Sequence, residues 1–241
     1  MERVSRLNPL LEILRAGSGR VQKVLIQNEK GHPKIFEITR LAKSRGIPLV
    51  TVPRRKLDLL APGHQGVLAL LTAKEYSSVD DILTAAASPF LVLLDEVEDP
   101  QNLGAIIRSA EAAGVDGLVL PERRSAGLTE VVATVSAGAL AHLKVARVIN
   151  LAQTMDELKR AGVWLVGAEG GAPKPYYAFD YTLPVAIVLG SEAKGLRPLV
   201  RKKCDQVLSI PLRGRVNSLN VASAAAVFLF EVLRQRLAGR P

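Results

Sequence analysis

Three stretches concentrate the residues able to do chemistry: residues 95–110 read DEVEDPQNLGAIIRSA, residues 190–196 read GSEAKGL, and residues 211–220 read PLRGRVNSLN. In the first, Pro100 ends the preceding structure and Asn102 is placed to cap a helix opening at Leu103. Gly104 leaves room for close backbone approach, and Arg108 follows further along the helix. A guanidinium near a helix start can grip a phosphate or carboxylate through two parallel hydrogen bonds. A cap and a plain surface arginine fit the same residues. In the second stretch, Gly190 exposes backbone at the end of an apolar run and Glu192 puts a carboxylate at its rim. A glycine turn with a solvated glutamate is the plainer alternative. In the third, Pro211 stops a strand, Gly214 keeps the loop adaptable, and Asn217 or Ser218 can cap the helix that follows. The small residues of that helix (Ala222, Ala224, Ala225, Ala226) permit close packing against backbone or a second subunit, as well as an ordinary alanine-rich core.

The commoner signatures fail. No G-x-G-x-x-G occurs, so a dinucleotide site has no support. Gly190 and Gly195 have P-loop spacing, but Leu196 stands where the phosphate-binding lysine must be. His32, His64 and His142 are far apart with no cysteine or carboxylate cluster at ligand spacing, which argues against a metal site. No G-x-S-x-G elbow is present. His64 reads as a turn residue before a strand.

The elements that must position these loops form two α/β series. In the first, a short helix opens at Asn8-Pro9 and closes at Gly17, followed by a strand at 21–27, a helix at 33–45, a strand at 49–52, a helix at 54–60 and a strand at 66–71. Residues 76–89 (YSSVDDILTAAASP) turn polar, then alanine-rich, and are expected to link the two. In the second series, apolar strands at 90–94, 117–120, 144–148, 163–167, 185–189 and 207–210 alternate with helices at 103–113, 128–143, 151–161 and 219–237. Strands this apolar, separated by helices, predict a mostly parallel sheet covered on both faces, with ligands beyond the carboxyl ends of its strands. The three stretches fall there. The domains are therefore expected at 1–75 and 90–241, with 76–89 between them.

The chain has 241 residues, 48% of them hydrophobic and 23% charged, which suffices for packed cores and excludes wholesale disorder. The longest uncharged runs, residues 59–73 and 216–230, fall short of the roughly 20 residues of a membrane span. The opening MERVSRLNPLLEILR lacks a signal-peptide core, and the single Cys204 excludes an internal disulfide framework. A soluble, cytoplasmic protein without membrane contact is the expectation. Net charge is +9, and residues 1–77 hold 14 basic and 6 acidic side chains, so nearly the whole excess lies in the first third. A basic module beside a near-neutral one suits a nucleic-acid tether joined to another activity. Only Tyr76 and Phe36 supply aromatic rings there, so phosphate contact and shape must outweigh base stacking.

Asn102-x-Gly104-x3-Arg108, then Leu189-Gly190-Ser191-Glu192, then Ile210-Pro211 with Ser218-Leu219-Asn220, resembles in order and spacing the three signature motifs of the SpoU (TrmH) family of SPOUT RNA 2′-O-ribose methyltransferases. The resemblance covers residues 90–241. The first 75 residues, with HQGV at 64–67, resemble the L30e-like substrate-binding domain of one subgroup, the 23S rRNA guanosine 2′-O-methyltransferases.

The resemblance implies an enzyme that uses S-adenosyl-L-methionine, a C-terminal trefoil knot over roughly residues 189–237, and a homodimer with its site at the subunit interface. It implies that Gly190, Ile210 and Leu219 bind the cofactor. Arg108 matches the family's catalytic arginine, Asn102 a residue orienting that arginine or the ribose, and Glu192, Ser218 and Asn220 further site positions. Because a guanidinium stays charged at neutral pH, its service as a base is awkward, and holding phosphate or a developing alkoxide suits Arg108 better. Ala193 stands where many relatives have glycine and Ala222 where many have serine. The expected substrate is ribosomal RNA, with 23S rRNA first. A tRNA or rRNA-adenosine 2′-O-methyltransferase, or a non-catalytic RNA-binding ribosome-assembly factor, are the alternatives.

Overall fold

The computed structural model describes residues 2–17, 19–28, 32–72, 74–192, 194–215 and 218–239; Ala193 and Asn217, both discussed above, lie outside the described residues. The chain forms two units, Met1–Glu75 with Leu128–His142, and Tyr76–Gly127 with Leu143–Pro241.

The first unit starts with β1 (Glu2–Val4), which the sequence reading missed, and α1 (Leu7–Ala16). Leu10, Leu11 and Leu14 recur at helical spacing and are buried, and Gly17 ends the helix in the left-handed region at φ 69°. There follow β2 (Val21–Gln27), α2 (Pro33–Ser44), β3 (Leu49–Val52), α3 (Arg54–Leu60) and β4 (Val67–Leu71). The sheet order is β1-β4-β2-β3, with β4 antiparallel to β1 and β2, and β3 parallel to β2. His64 is a turn residue: its Nδ1 accepts from Gly66 N at 2.9 Å and its Nε2 lies 3.0 Å from Asp58 Oδ1.

In the second unit, α4 (Val79–Leu83) precedes β5 (Phe90–Asp95), α5 (Pro100–Ala112) and β6 (Gly117–Pro121). Residues 76–89 are thus not a bare linker. Ser78 and Asp81 form a reciprocal capping box, Ile82 is fully buried, and Ser77 bridges to Ala146. Next in the chain comes α6 (Glu130–Val135), which belongs to the first unit. The helix expected over 128–143 is broken there. Ala137 and Gly138 have φ of 53° and 101°, and a Cβ on Gly138 would lie 2.5 Å from that of Glu12, so only glycine permits the close approach to α1. Residues 128–142 thus group with the first unit, between two stretches of the second.

The second unit resumes with β7 (Lys144–Val148), α7 (Leu151–Arg160), β8 (Trp164–Ala168), the two-residue β9 (Lys174–Pro175), β10 (Val185–Gly190), α8 (Pro198–Lys203), β11 (Gln206–Ser209) and α9 (Val221–Ala238). Its seven strands are all parallel, in the order β7-β6-β5-β10-β8-β11-β9. The central strands β5 and β10 are buried along their whole length, as expected of a parallel sheet clad on both sides. Leu91, Leu93, Ala186 and Val188 pack with Ile82, Met155, Leu158 and Val200 from α4, α7 and α8. On the other side α5 and α9 pack against each other, and α9 rests on β10. Among the described residues no helix is long and apolar enough to cross a membrane.

Candidate functional site

The adjacent strands β5, β10, β8 and β11 are parallel and end on one edge of the sheet, the edge where such folds bind ligands. β10 runs straight into a tight turn in which Ser191 N donates to Gly195 O (3.1 Å) and Gly195 N donates to Ser191 O (2.8 Å). The chain returns so close that a Cβ on Gly190 would sit 2.1 Å from Gly195 C, 2.2 Å from its O and 2.4 Å from Leu196 N. Gly195 itself has φ 65°. Both glycines are thus fixed by geometry, one by space and one by dihedral.

Glu192, carried on this turn, meets the other two loops. Asn220 caps α9, its Oδ1 accepting from Ala222 N at 2.9 Å and Ser223 N at 3.4 Å. The cap fixes which way the amide faces, so Asn220 Nδ2 donates to Asn102 Oδ1 (3.0 Å) and to Glu192 Oε1. Asn102 Nδ2 donates to the same Glu192 oxygen at 2.9 Å. One carboxylate oxygen therefore gathers two amide donors from residues distant in sequence, and all three loops close on one point. Asn102 does not cap α5. Asp99 does, with Oδ1 3.0 Å from Gln101 N and Pro100 in the first turn, which moves the helix start three residues earlier and frees the Asn102 amide. Likewise α9 is capped by Asn220 in place of Ser218.

Beside this cluster lies a cleft of about 160 Å³ bounded by Leu189, Gly190, Ile210, Leu212, Leu219 and Phe228, with Glu169, Glu192 and Ser218 supplying polar groups. A second cavity of about 330 Å³, lined by residues 96–99, Asn102 and Lys194, shares Ser191, Glu192 and Val221 with the first. Asn102, Glu192 and Asn220 thus meet beside the cleft that Gly190, Ile210, Ser218 and Leu219 line. Arg108 does not join them. It is exposed, makes no hydrogen bond or ion pair to a described residue, and lines neither cavity.

The sequence reading missed the end of β8 and the loop after it (Ala168, Glu169, Gly170) and the α9 face bearing Val221, Ala224 and Phe228, all of which line the cleft. The rule that ligands sit at strand carboxyl ends applied equally to β8 and could have found the first. It also missed Asp95, the fully buried acid ending the apolar run FLVLL. Asp95 Oδ2 accepts from Arg197 N (2.8 Å), while Oδ1 receives Arg197 Nε (2.7 Å) and Nη2 (2.6 Å).

Residues 89–230 match the SpoU rRNA Methylase family, and residues 7–77 match the RNA 2′-O ribose methyltransferase substrate binding family. A Bacillus subtilis (strain 168) protein bearing the name of a TrmH family tRNA/rRNA methyltransferase, YacO, is 46% identical over 205 residues, covering 83% of this chain and 82% of its own. A protein named for the same family in Staphylococcus haemolyticus is 44% identical over 221 residues, covering 90% and 89%. Among solved structures, the SpoU methyltransferase AviRb from Streptomyces viridochromogenes in complex with the cofactor AdoMet superposes with a TM-score of 0.83 at 30% identity, over 98% of this chain and 91% of that one. An AdoMet-bound rRNA methyltransferase from Sinorhizobium meliloti gives 0.80 at 25% identity, over 97% and 87%. With both sequence families in register and the three motif loops meeting at one point, the chain belongs to the SpoU (TrmH) family of RNA methyltransferases.

Proposed function

We propose that the protein methylates a ribose 2′-hydroxyl of RNA at the expense of S-adenosylmethionine, with a guanosine of 23S rRNA as target. The observation that carries this reading is the meeting of Asn102, Glu192 and Asn220 around one carboxylate oxygen beside the cleft. The cleft suits an adenosyl sulfonium. Leu189, Ile210, Leu212 and Leu219 offer an aliphatic slot for a flat base, and Ile210, Leu212 and Leu219 lie in coil, where backbone groups are not committed to a ladder. Glu169 and Glu192 supply negative charge for a cationic donor. Bound there, the sulfonium supplies an already activated methyl group. The chain's own residues have the remaining tasks: to hold the 2′-oxygen in line and to stabilise the charge that grows on it. Such positioning contributes up to roughly 7–11 kcal/mol when geometry is ideal. Asn102 and Asn220, locked by the Glu192 carboxylate and the α9 cap, form a pre-set polar wall that needs little rearrangement.

Arg108 enters through a second copy of the chain in this reading. On α9, Ala226, Phe230, Leu233 and Leu237 recur at helical spacing, and Phe230 and Leu237 are exposed, a stripe suited to a two-fold contact. Arg108 lies exposed on α5, which packs on α9, and is available to the partner's ribose and phosphate. The knot implied over residues 189–237 belongs to the same reading. Its support is that α9 follows β11 yet caps itself beside Asn102 and Glu192. The basic first unit, with Arg54, Arg55 and Lys56 exposed along α3, would capture folded RNA through its phosphates.

The name borne by the Bacillus relative covers tRNA as well as rRNA. Labelled methyl transfer to unmodified ribosomal RNA and to tRNA, followed by mass-spectrometric mapping of the product, tests the proposal. A 2′-O-methylguanosine in 23S rRNA is the expected outcome. A product on tRNA or on adenosine overturns the target, and no transfer to any RNA overturns the enzymatic reading. Arg108→Lys is expected to bind cofactor normally and to lose at least about tenfold in rate, because lysine lacks the planar fork.

A further inference from the structure

We propose that Asp95 is a positioning residue for the cofactor cleft, acting through Arg197 to fix the turn that carries Gly190 and Glu192. The inference rests on reading the cleft as the S-adenosylmethionine site, and not on the identity of the RNA target. Asp95 and Gly190 are direct neighbours across the parallel β5–β10 ladder. The turn leaves the sheet at Gly190 and returns with Leu196 buried and Arg197 seated on Asp95. Its two ends are therefore held by different devices, the Ser191–Gly195 pair within the turn and the Asp95 carboxylate beneath it.

Asp95 is 0% exposed and spends both oxygens on Arg197, one on the backbone N–H and the other on the guanidinium fork. A surface pair would contribute little, but here the carboxylate is dry and its acceptor sites are met by a single residue. The brace extends sideways. Glu96 Oε1 accepts from Arg124 Nη1 at 3.1 Å and lies 3.6 Å from Arg197 Nη1. Both Glu96 and Arg124 adopt left-handed backbone, at φ 61° and 56°, a strained conformation that non-glycine residues hold only where the surroundings enforce it. Strained backbone at the ends of β5 and β6 is thus joined by charge to the segment leaving the cleft. Releasing Arg197 would let the turn drift, and with it the Glu192 oxygen that orders Asn102 and Asn220.

Calorimetric titration of the full-length protein with S-adenosylmethionine, alongside melting of the same samples without cofactor, tests this. Asp95→Asn keeps an acceptor for Arg197 N but loses the charge and turns an amide donor toward the guanidinium, and is expected to weaken cofactor binding at least about tenfold. Arg197→Lys retains the backbone donor and a charge, and is expected to stay within about threefold of wild type. Arg124→Ala, at the exposed end of the chain of charges, is expected to stay within about twofold. A purely stabilising pair would lower the melting temperature and leave the dissociation constant of folded protein unchanged; that result in Asp95→Asn overturns the proposal. If Asp95→Asn does not fold, Arg197→Gln is read in the same way, since Arg197 is half-exposed and its backbone bond to Asp95 survives. Wild-type protein that takes up no S-adenosylmethionine would instead overturn the cleft assignment.

Discussion

Replacing Gly190 by alanine puts the geometry of the turn to a graded test. The added Cβ would stand 2.1 Å from Gly195 C and 2.4 Å from Leu196 N, and both obstacles are backbone. No rotamer change can relieve the clash, so the Ser191–Gly195 hydrogen bonds must stretch or the strand end must shift. Overpacking in a tight site costs about 1–3 kcal/mol, and a backbone obstacle places Gly190→Ala near the top of that range. At roughly 2–4 °C per kcal/mol for a chain of this size, the melting temperature should fall by about 6–12 °C. Gly167→Ala meets only side-chain atoms, Leu196 Cδ1 at 2.9 Å and Cys204 Sγ at 3.0 Å, and is expected to lose about 1 kcal/mol. Gly127→Ala has nothing within 4 Å and no left-handed φ, so it should stay within about 0.5 kcal/mol of wild type. The three proteins would be compared by thermal melting and by calorimetric titration with S-adenosylmethionine. Gly190→Ala alone is expected to lose cofactor binding, by at least about tenfold, because its displacement reaches Glu192. A Gly190→Ala protein that melts and binds like Gly127→Ala would refute the reasoning.

Asn220→Ser keeps a capping hydroxyl and loses both amide donations, so stability should change by less than about 0.5 kcal/mol while methyl transfer falls at least about tenfold. Burial pushes the Cys204 thiol up to about 12, so a thiol reagent at pH 8 should leave native protein unlabelled and react only after unfolding. Hydrogen bonds from Ser78 hold the Asp81 carboxyl below its ordinary value, and those from Arg234 do the same for Glu231. Their contribution is complete above the unfolded carboxylate value of roughly 4 and is lost as pH falls through the lower folded values, so melting temperature should decline below about pH 4.

The strands were legible because apolar runs bounded by turn residues leave little choice. The run 144–148 coincides with β7, and 185–189 falls one residue short of β10. The helix ends were less so. Asp99 and Asn102 are both good caps, and the choice turned on Pro100, whose fixed φ suits the first turn. Residues 128–143 carry an unbroken helical period in sequence. The break at Gly138 comes from packing against Glu12, 126 positions earlier, which no local pattern reports. The site divides in the same way. Order and spacing disclosed the three loops, but the pairing of Asp95 with Arg197 depends on the register of β5 with β10, a tertiary fact. Asp95 was visible as an acid at the end of FLVLL; what it held was not.

Arg108 is the residue on which sequence resemblance and single-chain geometry part. It lies six residues after Asn102 on α5, about 240° further around the helix, so one helix cannot turn both side chains to the same cleft. Asn102 is buried against Glu192 and Asn220, and Arg108 is exposed. In the dimeric reading proposed above, Arg108 serves a site on another copy. Mixing decides this. An Arg108→Ala chain still offers an intact cleft, and a Glu192→Ala chain still offers an intact arginine. A dimer of one with the other then rebuilds one complete site and leaves the second doubly defective. Random pairing of equal amounts makes half the dimers mixed, so about one quarter of wild-type methyl transfer should return from two inactive parents. Activity that stays at the parental level, in material shown to exchange subunits, would mean that Arg108 acts within its own chain after a rearrangement of α5, or does not act at all.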